Sequence, residues 1–130
     1  MIRTKRYDIQ GKPAAWMRTG IVFSTRKIYD SQKQMKLIIG LTIKAQHNDE
    51  PPFYGPVAVD IYAYFERPKT KKYHPVYYDR KPDFDNIAKI YCDILSDCAV
   101  WNDDCQVSDC RVRKLWGDEP GVTIIVKELK

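Results

Sequence analysis

Apolar and polar positions alternate most regularly between residues 57 and 65. The apolar positions of this segment are Val57, Val59, Ile61, Ala63 and Phe65. A period of two is typical of a strand that is buried on one face. Less regular patterns predict further strands at about 6–9, 21–24, 106–115 and 122–129. Because only residues 116–121 separate the last two, we expect them to form an antiparallel pair.

Helical spacing of apolar positions occurs twice. Ser31 to Gln34 fits the capping-box pattern, and an apolar stripe follows at Met35, Ile38, Ile39, Thr42 and Ile43. This pattern predicts a helix from about Ser31 to Gln46. A second helix is predicted after an Asp cap, with a core-facing stripe formed by Phe84, Ile87, Ala88, Tyr91, Ile94 and Leu95.

The length of the chain, 130 residues, fits a single domain over residues 1–130 with one hydrophobic core. The order of strands and helices predicts an α+β fold, a mixed or antiparallel sheet of about four to five strands with two helices on one face. No apolar run approaches the roughly 20 residues that span a bilayer, and the basic N-terminus lacks the apolar segment of a secretory signal. We therefore expect a cytoplasmic protein with no membrane partner.

The charge of the chain is unevenly distributed. The net charge is +5, but residues 1–36 carry nine basic and two acidic side chains, and residues 66–81 carry six basic and two acidic ones. Residues 82–109 carry seven aspartates and a single basic residue, Lys89. This distribution fits solvated surface charge. It also fits a basic surface for polyphosphate beside a carboxylate pocket for hard divalent cations.

The sharpest chemical feature is the pair of segments 83–89 and 101–107. Asp83 and Asp85 flank the start of the second helix, where unpaired N–H groups and the helix dipole favour ionised carboxylates. We expect the return loop to bring Asp104 beside this helix start. Converging carboxylates repel each other unless a cation lies between them, and oxygen ligands alone favour Mg²⁺ or Mn²⁺. Adjacent strand residues point to opposite faces, so Asp103 is predicted to face away from the cluster.

Four cysteines lie between residues 92 and 110, at Cys92, Cys98, Cys105 and Cys110. None of their spacings is C-x-x-C and neither histidine lies nearby, which does not match a structural zinc site. We expect reduced thiols that fill small apolar spaces.

These segments resemble the RusA family of Holliday junction resolvases, which are small metal-dependent endonucleases. The pattern of that family is Asp-x-Asp-Asn, a helical Lys, and then Asp-Asp-x-Gln-Val. This chain matches it at Asp83, Asp85, Asn86, Lys89, Asp103, Asp104, Gln106 and Val107. The resemblance is strongest over residues 79–115, and in the N-terminal third only Gly11-Lys12-Pro13 is similar.

The resemblance implies a Mg²⁺-dependent endodeoxyribonuclease, with Mn²⁺ as a possible substitute, that resolves four-way DNA junctions by paired nicks. It implies that Asp83, Asp85 and Asp104 are catalytic and bind the metal, and that Lys89 supports charge at the scissile phosphate. A homodimer is expected, because two nicks related by a two-fold axis require two active sites. No small-molecule cofactor is expected.

Basic residues around these segments are the predicted contacts to DNA phosphates. They are Lys12, Arg18, Lys69, Lys71, Lys72, Arg80 and Lys81. The tyrosines between them, Tyr77 and Tyr78 included, fit packing in the core or at its rim, and as a group they also fit stacking on unpaired bases at a branch point. Two other interpretations remain open: a nuclease of the same fold that prefers other branched or flapped DNA, and a non-catalytic DNA-binding protein whose aspartates are structural.

Overall fold

The computed structural model describes residues 2–16, 27–69 and 75–130, with the side chains of 27–31 left aside. The described elements are β1 (Thr4–Gln10), α1 (Lys27–His47), β2 (Val57–Glu66), α2 (Phe84–Asp97), β3 (Val107–Gly117) and β4 (Gly121–Glu128). A short 3₁₀ helix, Asp104–Gln106, precedes β3. The strand predicted at 21–24 lies outside the described residues.

The strands form one mixed sheet in the order β1-β4-β2-β3. β4 is antiparallel to β1 and β2, whereas β2 and β3 are parallel and joined through α2. The predicted antiparallel pairing of β3 with β4 is wrong, because β2 lies between them. The burial of the strands explains this order. Alternate side chains of β2 are fully buried, as suits a central strand, whereas residues 108–111 of β3 are exposed, as suits an edge.

The two helices and the sheet share one hydrophobic core. Buried side chains of β1, β2 and β4 form a single cluster with those of both helices, including Tyr7, Ile61, Ile124, Ile43 and Tyr91. The predicted α+β architecture, with two helices and a mixed four-stranded sheet, is confirmed. Within the described residues, no helix is long and apolar enough to cross a membrane.

α1 begins earlier than the sequence pattern predicts. It starts at Lys27, so Ser31 lies inside the helix and the predicted capping box is wrong. Its buried positions are Ile39, Ile43 and His47, and Ile38 is 66% exposed. Gly40 permits close packing against the end of α2, where the Cys98 thiol donates a hydrogen bond to the Gly40 carbonyl at 3.4 Å. A Cβ at residue 40 would lie 3.4 Å from the Cys98 Sγ.

α2 confirms the predicted core stripe at four of its six positions. Ala88 is only partly buried, and Ile90, which the prediction did not include, is buried. Ile87, Tyr91, Ile94 and Leu95 are buried, but Phe84 is 65% exposed. The prediction that Phe84 faces the core is therefore wrong. Its ring instead lines an open groove between the start of α2 and β3. The first turn of the helix thus presents both an aromatic ring and carboxylates at the surface.

Candidate carboxylate site

The entrance to α2 is an extended segment that is fixed to the sheet. The Tyr78 hydroxyl donates to the Lys81 carbonyl at 2.7 Å. The Lys114 ammonium, from β3, donates to the carbonyls of Arg80 and Pro82. Lys114 therefore positions the residues that precede the first aspartate. The alternating pattern of β3 gave no signal for this role, because the contact depends on the packing of the loop against the strand edge.

Asp83 and Asp85 present their carboxylates to solvent at this entrance. Asp83 is the N-cap residue of α2, as predicted, but its side chain makes no hydrogen bond to the backbone of the helix. One of its oxygens instead lies 2.9 Å from the Lys81 ammonium, and both side chains of that pair are exposed. Asp85 lines the groove between α2 and β3. Both carboxylates are therefore accessible to a cation from solvent.

The 3₁₀ helix before β3 begins with a capping box that is formed by Asp103 and Gln106. The Cys105 N–H donates to the Asp103 carboxylate at 3.0 Å, which lowers the pKa of Asp103. The Gln106 side chain accepts from the N–H groups of Asn102 and Asp103 and donates to the carbonyls of Phe53 and Gly55. Asp103 itself is extended and exposed. The predicted continuation of the strand from Asp103 to Asp104 is wrong, because residues 104–106 form a helical turn that Asp103 caps.

Asp104 lies at the far end of α2 from the other two aspartates. Its carboxylate accepts from the Ser96 hydroxyl at 2.9 Å, and that hydroxyl oxygen also accepts from the Trp101 indole N–H at 2.6 Å. Eleven helical residues separate Asp85 from Ser96, which corresponds to about 16 Å along the helix axis. The predicted return of Asp104 to the helix start is therefore wrong within one chain.

The separation of these carboxylates leaves no three-ligand cluster in one chain. Among the described residues, no group of three or more His, Cys, Asp or Glu side chains is placed to hold a metal ion together. Within one chain, the oxygen ligands are thus divided between the pair Asp83 and Asp85 at one end of α2 and Asp104 at the other.

A groove of about 580 Å³ runs between α2 and β3 beside Asp85. Cys110 and residues 111–113 form its β3 side. Arg111 is exposed, whereas Arg113 lies 3.5 Å from the Asp60 carboxylate and 4.9 Å from the centroid of the Tyr62 ring. The groove thus combines an acidic side chain on the helix with arginines on the strand.

Lys89 lies one turn beyond Asp85 and contacts an aromatic ring. Its ammonium is 3.7 Å from the centroid of the Trp16 ring. The Trp16 N–H donates to the Asn86 carbonyl at 2.9 Å, and the Ala14 N–H donates to the Tyr91 hydroxyl oxygen at 2.9 Å. Burial raises the pKa of Tyr91 to about 12. Residues 14–16 are thereby held against α2, and Trp16 covers the lysine.

The predicted phosphate contacts are exposed where the structure describes them. Lys12, Lys69, Arg80 and Lys81 are at the surface, and Lys81 and Arg80 directly precede the carboxylate pair. Arg18, Lys71 and Lys72 lie outside the described residues. Of the predicted contacts that the structure describes, Arg80 and Lys81 border the start of α2.

The four cysteines are free thiols in different environments. Cys98 is buried and Cys92 is partly buried, but Cys105 and Cys110 are exposed. The prediction that they fill apolar spaces is therefore wrong for Cys105 and Cys110. A hydrogen bond from the Cys92 thiol lowers the pKa of Cys110. The neighbouring Asp103 carboxylate raises the pKa of Cys105.

Exposed carboxylates flanked by lysines and arginines are suited to phosphodiester chemistry, in which negative charge must be neutralised. This is the chemistry of a nuclease. The family model described as endodeoxyribonuclease RusA matches residues 10–127, and the chain belongs to this family. The resemblance noted from residues 79–115 is thus confirmed over nearly the whole chain.

A second comparison finds a relative that is similar over most of the chain. The chain is 29% identical over 130 residues to the uncharacterized protein YqaN of Bacillus subtilis (strain 168), and the match covers 92% of this chain and 89% of that protein.

Proposed function

We propose that this protein is a Mg²⁺-dependent endodeoxyribonuclease that resolves four-way DNA junctions by paired nicks as a homodimer. Family membership supports hydrolysis of DNA. The observation that carries the proposal is the exposed pair Asp83 and Asp85 at the start of α2, with Lys81 and Lys89 beside it. No other described segment combines accessible carboxylates and cations with a match to the family motif.

The residues at this entrance fit a hard divalent cation. Mg²⁺ is commonly bound by one or two carboxylates, with water and substrate phosphates completing its shell. The Asp83 carboxylate is not used as a helix cap, so its oxygens are available to a metal. The ion would supply Lewis-acid activation of water and of the phosphate. Lys81, which now pairs with Asp83, would be available to a DNA phosphate if Asp83 held a metal ion.

The position of Asp104 supports a site that is completed by a second copy of the chain. In a two-fold dimer with the α2 helices side by side and antiparallel, Asp104 of one copy lies at the end of α2 that carries Asp83 and Asp85 of the other. The exposed residues 108–111 of β3 provide a sheet edge next to this helix, and unpaired edges readily form interfaces. Each active site would then draw carboxylates from both subunits.

The proposal is tested with a labelled synthetic four-way junction, incubated with Mg²⁺ or with EDTA, beside a flap and a plain duplex of the same sequence. We expect paired nicks in the junction only with Mg²⁺. Each of Asp83→Asn, Asp85→Asn and Asp104→Asn is expected to lower the single-turnover rate by about a hundredfold or more, with binding retained. Asp49→Asn, at the far end of α1, serves as the matched control.

The outcomes separate the candidate activities. Faster cutting of the flap than of the junction would favour the nuclease for other branched DNA. Binding without cutting under any divalent ion would favour the non-catalytic protein. Residual cutting in all three active-site variants at the rate of Asp49→Asn would remove the aspartates from the mechanism.

A further inference from the structure

An aromatic pocket lies beside the entrance to α2. We define it by Phe65, Tyr78 and Trp116, with Lys12 and Arg80 at its rim. Its volume is about 320 Å³. The Tyr78 hydroxyl bonds to the carbonyl of Lys81, two residues before Asp83. The pocket and the carboxylate pair are therefore joined by one short, anchored segment.

The rings of the aromatic pocket are held in fixed positions. Tyr78 stacks on Phe65 with a centroid distance of 3.8 Å and an interplanar angle of 8°, and it meets Trp116 edge-on at 4.7 Å and 70°. The Tyr78 N–H donates to the Lys114 carbonyl and the Trp116 N–H to the Val76 carbonyl. A ligand that stacks here therefore meets rings that are already ordered, which reduces the entropy cost of binding.

The charged residues that line the aromatic pocket are two cations, Lys12 and Arg80, and one carboxylate, Glu66, which leaves a net positive charge that favours an anionic ligand. The Arg80 guanidinium carbon lies 5.4 Å from the centroid of the Trp116 ring, and the exposed Lys12 lies across the pocket. An unpaired nucleotide combines a flat apolar base with a phosphate, and such bases bind to aromatic rings and arginine planes along basic grooves. Bases within an intact duplex are stacked and cannot enter unless they are unpaired.

We propose that the aromatic pocket receives one unpaired base of branched DNA, with its flanking phosphates on Lys12 and Arg80. The inference rests on the proposed nuclease function and adds to it a contact for the branch point. If one base binds in this pocket, the DNA strand that follows it would pass Lys81 and reach Asp83. The pocket would thereby select branched over plain duplex DNA.

The test uses the full chain in EDTA, so that binding is measured without cutting. The probe is a duplex with a single bulged 5-iododeoxyuridine, compared with the same duplex in which that base is paired. On irradiation, we expect crosslinks from the bulged probe to peptides that contain Trp116 or Tyr78, mapped by mass spectrometry. A four-way junction and a single strand with the same probe extend the comparison.

Variants measure the contribution of the pocket to affinity. Tyr78→Leu removes a ring and is expected to weaken binding of the bulged duplex at least about fivefold, the lower range for a lost base stack. Tyr78→Phe retains the ring but loses the hydrogen bond to the Lys81 carbonyl, so it should bind the bulged duplex more tightly than Tyr78→Leu does. Tyr54→Leu removes an exposed tyrosine outside the pocket and is the matched control. Arg80→Gln, at an exposed position, tests the pocket if Tyr78→Leu does not fold.

Failure of the pocket is distinguishable from failure of the nuclease. Junction cutting with crosslinks elsewhere, and equal affinities for Tyr78→Leu and Tyr54→Leu, would overturn the pocket alone. Pocket crosslinks without cutting in Mg²⁺ would overturn the nuclease and leave the base site in place. Absence of binding to any of these DNAs would overturn both.

Discussion

Lys89 shows how the surroundings of one residue change the interpretation of its charge. A lysine four residues after an aspartate on a helix commonly forms a weak surface ion pair. Among the described residues, however, no ion pair joins Lys89 to Asp85, and its ammonium lies over the Trp16 ring. The Trp16 ring therefore holds the ammonium one helical turn beyond Asp85.

Replacement of Lys89 by alanine separates its proposed catalytic role from its contribution to stability. We expect Lys89→Ala to slow single-turnover nicking about a hundredfold, because a preorganised group at the transition state is lost. An exposed cation–π contact contributes only about 0.5–1 kcal/mol to stability, so the free energy of unfolding should change little. Lys44→Ala, on α1, is the control, and a rate loss below about fivefold would make Lys89 an ordinary surface lysine.

The two exposed cysteines are predicted to differ in reactivity. The Cys92 thiol donates toward Cys110 and lowers the pKa of Cys110, whereas Asp103 raises the pKa of Cys105. Because the thiolate is the nucleophile, Cys110 should be alkylated at lower pH and earlier than Cys105. Brief iodoacetamide labelling over a pH series, followed by peptide mapping, measures this order. Equal labelling, or Cys105 first, would contradict the assignment. Cys92→Ala should delay the labelling of Cys110 and leave that of Cys105 unchanged, because only the pKa of Cys110 depends on the Cys92 thiol.

At the scale of elements, the periodicity of apolar positions predicted the helices and strands whose buried face is determined by local sequence. The alternation of β2 and the stripe of α2 specify a buried face directly, and both elements are confirmed. Pairing partners were not predictable in the same way. A short connection favours a hairpin, but insertion of β2 between β3 and β4 depends on which strand buries the most apolar surface, a property of the whole sheet.

In the candidate site, too, the features that depend on local sequence were predictable and those that depend on long-range contacts were not. Asp83 and Asp85 were placed correctly at the start of α2, because a cap and a helix stripe are local signals. Phe84 and Asp104 were misplaced. Hydrophobicity does not distinguish a core ring from a groove ring, and the position of Asp104 depends on its contact with Ser96, which no sequence pattern encodes.

Gln106 is predicted to hold the 3₁₀ turn that carries Asp104. Its amide makes four hydrogen bonds to backbone groups of two segments. Gln106→Leu removes these bonds, of which only the one to the Phe53 carbonyl is partly buried, so we expect a loss of about 0.5–1.5 kcal/mol in the free energy of unfolding. Urea denaturation measures the loss. Ser108→Ala, two residues further on, is the control, and an unchanged urea midpoint would show that water replaces the amide fully.

At the scale of the whole molecule, the length of α2 separates the carboxylates that the proposed chemistry needs together. One chain provides Asp83 and Asp85 at one end of this helix and Asp104 at the other, about 16 Å away by helix rise. In the proposed two-fold dimer with antiparallel α2 helices, opposite ends of the two helices would lie side by side. Each proposed active site therefore forms only between two subunits.

Mixing two inactive variants tests the shared site. Consider a dimer of an Asp85→Asn subunit with an Asp104→Asn subunit, in which each active site combines Asp85 of one subunit with Asp104 of the other. One of its two sites then carries both substitutions, and the other carries neither. If each site lay within one chain, both sites of that dimer would carry one substitution and stay inactive. After subunit exchange, half of the dimers are mixed and each has one working site, so nicking should return to about a quarter of the unmutated rate. Paired resolution should stay absent because only one strand is cut. Mixing Asp83→Asn with Asp85→Asn is the control. Asp83 and Asp85 of one subunit belong to the same site, so each of the two sites in the mixed dimer carries one substitution. Recovery in neither mixture, with exchange verified by mass spectrometry, would place the active carboxylates within a single chain.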